Sequence, residues 1–234
     1  MLVDSSQNNS SGRLTQGIEA DSSLKAVVAY IEKYLPIFRT KNQGEIQTAE
    51  DTLNDRLSII FQRYASSVPF FFKAEKIQDP KTGHSSKTDI GVLSDDEKIT
   101  VCDRTYGEND AFFEIECKRL PTPNTKNIEY VIGQKSPSGG IERFKKKRHG
   151  KNLSYSAIIG YVQKENFDYW FSAINSRIDE LITNEPNFWY KEDKLYPTSN
   201  QSPDFAKYTS ENFRDNANGR DCINLLHYWV DLVN

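Results

Sequence analysis

FFEIECKRL, residues 112–120, has the residue pattern of a β-strand with one buried and one charged face. Side chains alternate between the two faces of a β-strand. A strand from Ala111 to Leu120 therefore has one mostly apolar and one charged face, with Phe113, Ile115, Cys117 and Arg119 on the first and Glu114, Glu116 and Lys118 on the second. The apolar face is expected to pack on the core, which leaves Glu116 and Lys118 side by side, about 7 Å apart along the backbone. Pro121 and Pro123 end the strand, because proline cannot donate to a sheet ladder.

TDIGVL, residues 88–93, predicts a second strand that contains an isolated aspartate. A carboxylate among apolar neighbours is costly unless it lies at a strand end or holds a partner. A divalent cation is such a partner, because Mg²⁺ binds oxygen ligands through one or two carboxylates and keeps several waters. Asp89, Glu116 and the backbone carbonyl of Cys117 would supply these ligands. Lys118 could orient or deprotonate the attacking water, or stabilise the charge that builds on phosphate. The alternative is an ordinary ion pair between Glu116 and Lys118.

The sequence before these strands predicts two amphipathic helices. Residues 1–20 are rich in Ser, Asn and Gln and are expected to be disordered or frayed. Apolar residues then recur every three or four positions in a helix that follows a cap at Asp21–Ser23 and ends before Pro36. A second helix, Thr48–Tyr64, carries Glu50 on its apolar face.

The remaining segments complete a predicted α/β fold, with a central mixed sheet flanked by helices. Strands are expected at Pro69–Lys76, Ile99–Asp103 and Tyr155–Gln163, near Trp189 and at Cys222–Leu232, with helices at Thr125–Gly133, Ile141–Arg148 and Phe167–Ile182. A polar loop is expected between the last two strands. Parallel pairing is expected between the Ala111 strand and the Tyr155 strand, because a helical crossover joins them. Residues 21–234 are expected to form a single domain, with a core at about 45–185 and an extension at 186–234.

The composition excludes several classes of protein. The net charge is −3, so any nucleic-acid surface must be a local patch. Three cysteines without close spacing argue against a disulfide framework or a zinc site. Neither a membrane span nor a signal peptide is evident, and we expect a cytoplasmic protein that does not bind a membrane.

Asp89 followed by Glu116-Cys117-Lys118 resembles the active-site motif of the PD-(D/E)XK, or restriction-endonuclease-like, nuclease superfamily. Lys87-Thr88 replaces the proline of the motif's name, a position that is often degenerate in such enzymes. The resemblance covers about residues 45–185 and implies a restriction-endonuclease-like core in which a helix, a strand meander and a crossover helix lead to a further strand. It implies an Mg²⁺-dependent endodeoxyribonuclease, in which Mn²⁺ substitutes for Mg²⁺. The implied catalytic residues are Asp89, Glu116, Lys118 and Glu50.

A basic segment downstream is the predicted nucleic-acid contact. Such nucleases often carry a Gln or Lys after the lysine strand, which points to Gln134 and Lys135, although a polar helix end is the alternative. Gly139-Gly140 opens a basic helix whose backbone N–H groups could face a phosphate. Its cationic residues are Arg143, Lys145, Lys146, Lys147 and Arg148, and a solvated charged face is the alternative for them. His149 could orient a phosphate, although a surface histidine outside the site is the favoured interpretation, and Glu114 either supports the site or is exposed.

Two classes of function follow from these patterns. The first is a metal-dependent nuclease that cuts DNA in restriction or anti-phage defence, as a homodimer or with a partner protein of the defence system. The second is a non-catalytic module on the same fold that binds nucleic acid or a partner protein. Cleavage of RNA or of nucleotides is a further alternative.

Overall fold

The computed structural model describes residues 9–78, 87–121, 128–133, 139–198, 202, 204–214 and 221–233, with side chains from Ser22 onward. No helix in these ranges is both long and apolar enough to cross a membrane. The helices are α1 (Asn9–Asn42), α2 (Glu50–Tyr64), α3 (Gly140–Lys145) and α4 (Phe167–Asn184). The strands are β1 (Phe70–Ile77), β2 (Lys87–Ser94), β3 (Lys98–Val101), β4 (Arg104–Gly107), β5 (Phe113–Leu120), β6 (Tyr155–Val162), β7 (Tyr196–Pro197), β8 (Phe205–Arg214) and β9 (Asp221–Asp231).

Seven of these strands form one mixed sheet, in the order β1-β2-β5-β6-β9-β8-β7. β5 pairs with β2 antiparallel and with β6 parallel, and β6 pairs with β9 parallel. The two parallel pairs follow from crossovers that contain α3 and α4. The predicted α/β class, the mixed sheet and the parallel β5–β6 pair are therefore confirmed. β3 and β4 form a separate two-stranded sheet.

Helices pack on both faces of the large sheet. Tyr161 of β6 has its ring 5.4 Å from that of Phe38 in α1, and its hydroxyl donates to Asn54 in α2. Gly160, the preceding residue, points to the opposite face, where a Cβ would lie 2.5 Å from Trp229. The Trp229 ring contacts Phe167 at the start of α4. Lys118 is paired with Gly160 in the parallel register and therefore shares the α4 face, which α3 also covers.

Five sequence predictions about individual elements need correction. Residues 9–20 continue α1, because extending a helix costs little once its packed part has formed. α1 also passes through Pro36, since Leu35 and Phe38 are fully buried on either side and their packing offsets the lost hydrogen bond. Residues 128–133 form turns instead of a helix, and residues 122–127 lie outside the described part. Trp189 lies outside any strand, whereas the predicted polar loop after it contains β8.

Candidate active site

The predicted site lies where β2 and β5 separate. The two strands pair through Ile90 with Ile115 and Gly91 with Glu114, and the pairing stops at Asp89. Here the backbone N–H of Cys117 donates to Asp89 Oδ2 at 2.7 Å. The carboxylate thus takes the place that a backbone carbonyl would have in a continued ladder, and this holds Asp89 against the strand that carries Glu116.

Three oxygen atoms converge on the ammonium group of Lys118. Nζ lies 3.0 Å from Glu50 Oε1, 2.9 Å from Glu116 Oε1 and 2.9 Å from the carbonyl oxygen of Cys117. The second oxygen of Glu50 accepts from the backbone N–H of Arg119 at 2.9 Å, which fixes the start of α2 to β5. The structure therefore brings Glu50 and Asp89, which are distant in the sequence, to Glu116 and Lys118 on β5.

Two further groups surround the fully buried carboxylate of Glu116. Arg143 of α3 places NH1 2.5 Å from Oε1, and His149 places Nδ1 3.1 Å from Oε2. The imidazole approach is close, but it is not aligned as a hydrogen bond, and Oε2 has no hydrogen-bond partner among the described residues. The side chains of Arg143 and Glu50 are 27% and 26% exposed, so solvent reaches the cluster past these two residues.

Burial and charge shift the pKa values of this cluster in different directions. Burial, followed by the Glu116 charge, raises the pKa of Asp89 to about 7, although Lys118 and the Cys117 N–H oppose the shift. Burial would also raise the pKa of Glu116, but Lys118, His149 and Arg143 together hold it below the usual range. Burial would lower the pKa of Lys118, and the nearby carboxylates Glu116, Glu50 and Asp89 raise it instead. At neutral pH Glu116 and Lys118 are charged, whereas Asp89 is close to its midpoint.

Glu114, two residues before Glu116, supports the site from within. It is 5% exposed, and its carboxylate accepts from Thr88 Oγ1 at 2.8 Å, Gln78 Nε2 at 2.9 Å and the Gly150 N–H at 2.8 Å. Of the two interpretations left open by the sequence, exposure at the strand entry is wrong. The Gly150 N–H anchors the segment after α3 to β5, and Thr88 and Gln78 tie the same carboxylate to β2 and to the end of β1.

The predicted basic contact surface is only partly available. Lys145 is fully buried and its ammonium group is bound to Asp193 at 2.7 and 2.8 Å, so we remove it from that surface. Lys146 and Arg148 are exposed, and Lys147 is intermediate. Lys146 pairs with Glu142 and Lys147 with Asp221, each within 2.8 Å. Gln134 and Lys135 lie outside the described residues.

The oxygen atoms at this site suit a hard divalent cation that needs few protein ligands. In the described part of the chain, no group of three or more His, Cys, Asp or Glu side chains forms a ready-made metal cage. Mg²⁺ does not need one, because it is usually bound by one or two carboxylates and keeps several waters. Asp89, Glu116 and the Cys117 carbonyl would hold it, because carboxylate and carbonyl oxygens are the ligands that this cation prefers.

His149 is the residue at this site that the sequence interpretation missed. It was expected at the surface, yet it is fully buried against Glu116. The available signal was its position directly before Gly150, because glycine commonly follows the end of a helix. A chain that turns back after a short helix can bring such a residue onto the sheet, but the turn itself is not visible in the sequence.

Comparison with known proteins identifies no relative: no family model, no curated protein and no solved structure matches this chain.

Proposed function

We propose that this protein is an Mg²⁺-dependent endonuclease that hydrolyses phosphodiester bonds in DNA and has a restriction-endonuclease-like core. The observation that carries this proposal is the meeting of Asp89, Glu116, Lys118 and Glu50 where β2 and β5 separate. The order of α2, β1, β2, β5, α3 and β6 along the chain supports it, because it follows the order that the resemblance implies. Mn²⁺ is expected to substitute for Mg²⁺.

Each side chain has a distinct proposed role. Asp89, Glu116 and the Cys117 carbonyl would bind the cation, which would supply Lewis-acid stabilisation of the phosphate and a more acidic water. The ammonium group of Lys118 holds Glu116 and is placed to orient the attacking water or stabilise developing charge. Glu50 positions Lys118 and marks the solvent-facing side of the cluster.

The cost of the cluster supports a functional interpretation. Removing charges from water is expensive, and well-packed apolar residues often stabilise a protein as well as a buried ion pair does. β5 nevertheless carries Glu114, Glu116 and Lys118 on one buried face. Shifted pKa values beside a solvent-accessible opening are typical of functional sites.

DNA contact is proposed for the exposed side of α3 and the turn that follows it. Arg143 reaches both Glu116 and solvent, and Lys146, Lys147 and Arg148 follow it in sequence. These cations would neutralise phosphates next to the site, which would explain how a protein of net charge −3 binds nucleic acid.

The decisive experiment is cleavage of supercoiled plasmid DNA by purified protein in Mg²⁺, in Mn²⁺ and in EDTA. We expect nicking with either metal, none in EDTA, and none by Glu116→Gln or Asp89→Asn. Glu75→Gln is the matched control, because this exposed carboxylate on β1 pairs with Lys87 at the surface, away from the site. Equal cleavage by wild type and the two site variants would exclude the proposal, as would no cleavage by the folded wild type.

A second candidate is a non-catalytic DNA-binding or partner-binding module. It is favoured by the contacts of Glu116, whose charge is already balanced by Lys118 and Arg143 without a metal. This alternative predicts salt-dependent DNA binding that Asp89→Asn leaves intact and that metal does not change. Metal-dependent nicking would exclude it.

A further inference from the structure

We infer that His149 is a positioning residue that fixes the orientation of the Glu116 carboxylate for cation binding; this inference rests on the proposed function. Two facts single it out. Its side chain is fully buried, and neither ring nitrogen has a hydrogen-bond partner among the described residues. Its Nδ1 lies 3.1 Å from Glu116 Oε2.

The second buried histidine of this protein, His227, has a structural role in the core, and its ring nitrogens have hydrogen-bond partners. His227 is also fully buried, but its Nδ1 lies 2.8 Å from the Tyr130 hydroxyl and its Nε2 lies 2.9 Å from Ser210 Oγ. Both ring nitrogens of His227 are therefore satisfied, as is normal for buried polar groups. Within the described part of the chain, His149 lacks this pairing and faces a carboxylate oxygen, Glu116 Oε2, that also has no hydrogen-bond partner.

The backbone holds His149 rigidly in this position. Two residues with positive φ, Lys147 at 54° and Gly150 at 56°, turn the chain back after α3. The Gly150 N–H then donates to Glu114, and the His149 ring packs edge-on against Phe144 with centroids 5.8 Å apart. A side chain at position 150 would be strained by this φ and would crowd Ser156 and Phe144, so the turn requires glycine.

As a result, both carboxylate oxygens of Glu116 are contacted by neighbouring side chains. Lys118 and Arg143 approach Oε1, and His149 faces Oε2 from inside the protein. A carboxylate that binds a metal is usually oriented by such supporting contacts, and their loss typically lowers metal affinity or activity about 10–100-fold. The imidazole needs only an N–H at Nδ1 to provide this contact, and a small ring rotation would align it.

Histidine NMR tests the inference on the wild-type protein, so the result does not depend on whether a variant folds. The chain has three histidines, so ¹⁵N-labelled histidine gives a simple spectrum in which His149→Asn identifies one residue. Mg²⁺ is diamagnetic and serves as the probe. We expect the His149 ring signals to shift and saturate with Mg²⁺, whereas those of His227 stay fixed. Saturable Mg²⁺ binding that leaves the His149 signals unchanged would overturn the inference.

Calorimetric titration with Mn²⁺ supplies the second test. His149→Phe, which keeps a ring without the N–H, should weaken Mn²⁺ binding about 10–100-fold. His149→Asn, which keeps an amide N–H near the Nδ1 position, should recover most of the affinity, and His227→Phe should not change the affinity of the folded protein. If wild type binds Mn²⁺ and folded His149→Phe binds it equally well, only this inference fails. If wild type neither binds Mn²⁺ nor cleaves DNA, the proposed function fails as well.

Discussion

Lys118 and Lys145 are both buried lysines that contact carboxylates, and their surroundings differ in kind. The ammonium group of Lys145 uses Asp193 Oδ1, Asp193 Oδ2 and the Phe213 carbonyl, which match its three N–H groups. Both side chains of this pair have no exposed surface, and the rings of Phe188, Trp189 and Tyr190 lie around the cation. Lys118 instead shares its carboxylates with other charged groups, and the cluster reaches solvent through Glu50 and Arg143.

This difference separates a structural ion pair from a candidate site. Burial lowers the pKa of Lys145 and raises the pKa of Asp193 to about 6, so desolvation outweighs their attraction. Around Lys118 the attraction to several carboxylates outweighs burial, and the pKa rises. A buried Lys–acid contact alone therefore does not indicate catalysis. An excess of acids around the lysine, with access from solvent, is the more informative feature.

The largest effect is expected when the buried ion pair between Lys145 and Asp193 is broken. Asp193→Ala leaves the Lys145 ammonium buried without a counter-charge, and we expect the free energy of unfolding to fall by about 3–5 kcal/mol in urea denaturation. Asp179→Ala is the matched control, because Asp179 pairs with Lys194 at 2.7 Å but is 55% exposed. The loss there should be about 0–1 kcal/mol. Similar losses in both variants would show that the Lys145 pair is not special.

β5 and β8 show how much of the fold could be predicted from the sequence. β5 was predicted because its alternation of apolar and charged residues is local, and the parallel pairing with β6 followed from the connection between them. β8 was missed because FAKYTSENFR contains many polar residues. Its buried Ser210 pairs with His227, and Arg214 donates to the Gly150 carbonyl at 2.7 Å. These partners are far away in the sequence, so burial of the polar side chains could not be seen.

The residues of the candidate site also fall into two groups, those that local sequence patterns located and those that depend on distant contacts. Glu116 and Lys118 share a strand face, and Asp89 stood out as an acid among apolar residues, so local patterns located all three. His149 and Lys145 were misplaced because their burial depends on the turn after α3 and on Asp193, which is 48 residues from Lys145. Charge patterning in a short helix cannot distinguish a cation that faces solvent from one that faces a buried carboxylate.

Lys118→Met should affect activity more than stability, the reverse of Asp193→Ala. Glu116 keeps Arg143 and His149 nearby, so no uncompensated buried carboxylate remains. We expect kcat for DNA cleavage to fall about 10²–10³-fold, as for the loss of one charge-stabilising donor. Lys87→Met, an exposed lysine on β2, should leave kcat unchanged. A Lys118→Met protein that is as unstable as Asp193→Ala would make the two lysines equivalent and the cluster structural.

The pH dependence of stability distinguishes the candidate site from the Lys145 pair, because each contains an aspartate with a raised pKa. The pKa of Asp89 is raised to about 7 and that of Asp193 to about 6, so each contributes stability that is complete below the ordinary value of 3.8. That stability is lost as pH rises through the folded pKa, because the folded state then holds more protons than the unfolded state. In EDTA, the free energy of unfolding should fall between about pH 4 and 7, and Asp89→Asn should reduce the slope.

Adding Mg²⁺ should separate these two contributions. A bound cation favours the ionised carboxylate and lowers the pKa of Asp89, so saturating Mg²⁺ should remove its part of the slope. The part due to Asp193 should remain, because its carboxylate is enclosed with Lys145. A slope that is unaffected by Mg²⁺ in wild type would show that Asp89 does not bind the cation.

The smallest effect is expected from single exposed cations next to the site. Each phosphate contact contributes about 0.9 to the slope of log affinity against log salt, so Lys146→Ala and Arg148→Ala should each reduce that slope by roughly one. Lys191→Ala, an exposed lysine of the C-terminal extension, should leave the slope unchanged. Lys145→Met is the sharper comparison. It removes a cation from the same basic run, and because that cation is buried on Asp193, the slope should stay at the wild-type value while the stability changes. If Lys145→Met reduced the slope of log affinity against log salt, DNA binding would have to break the buried Lys145–Asp193 pair.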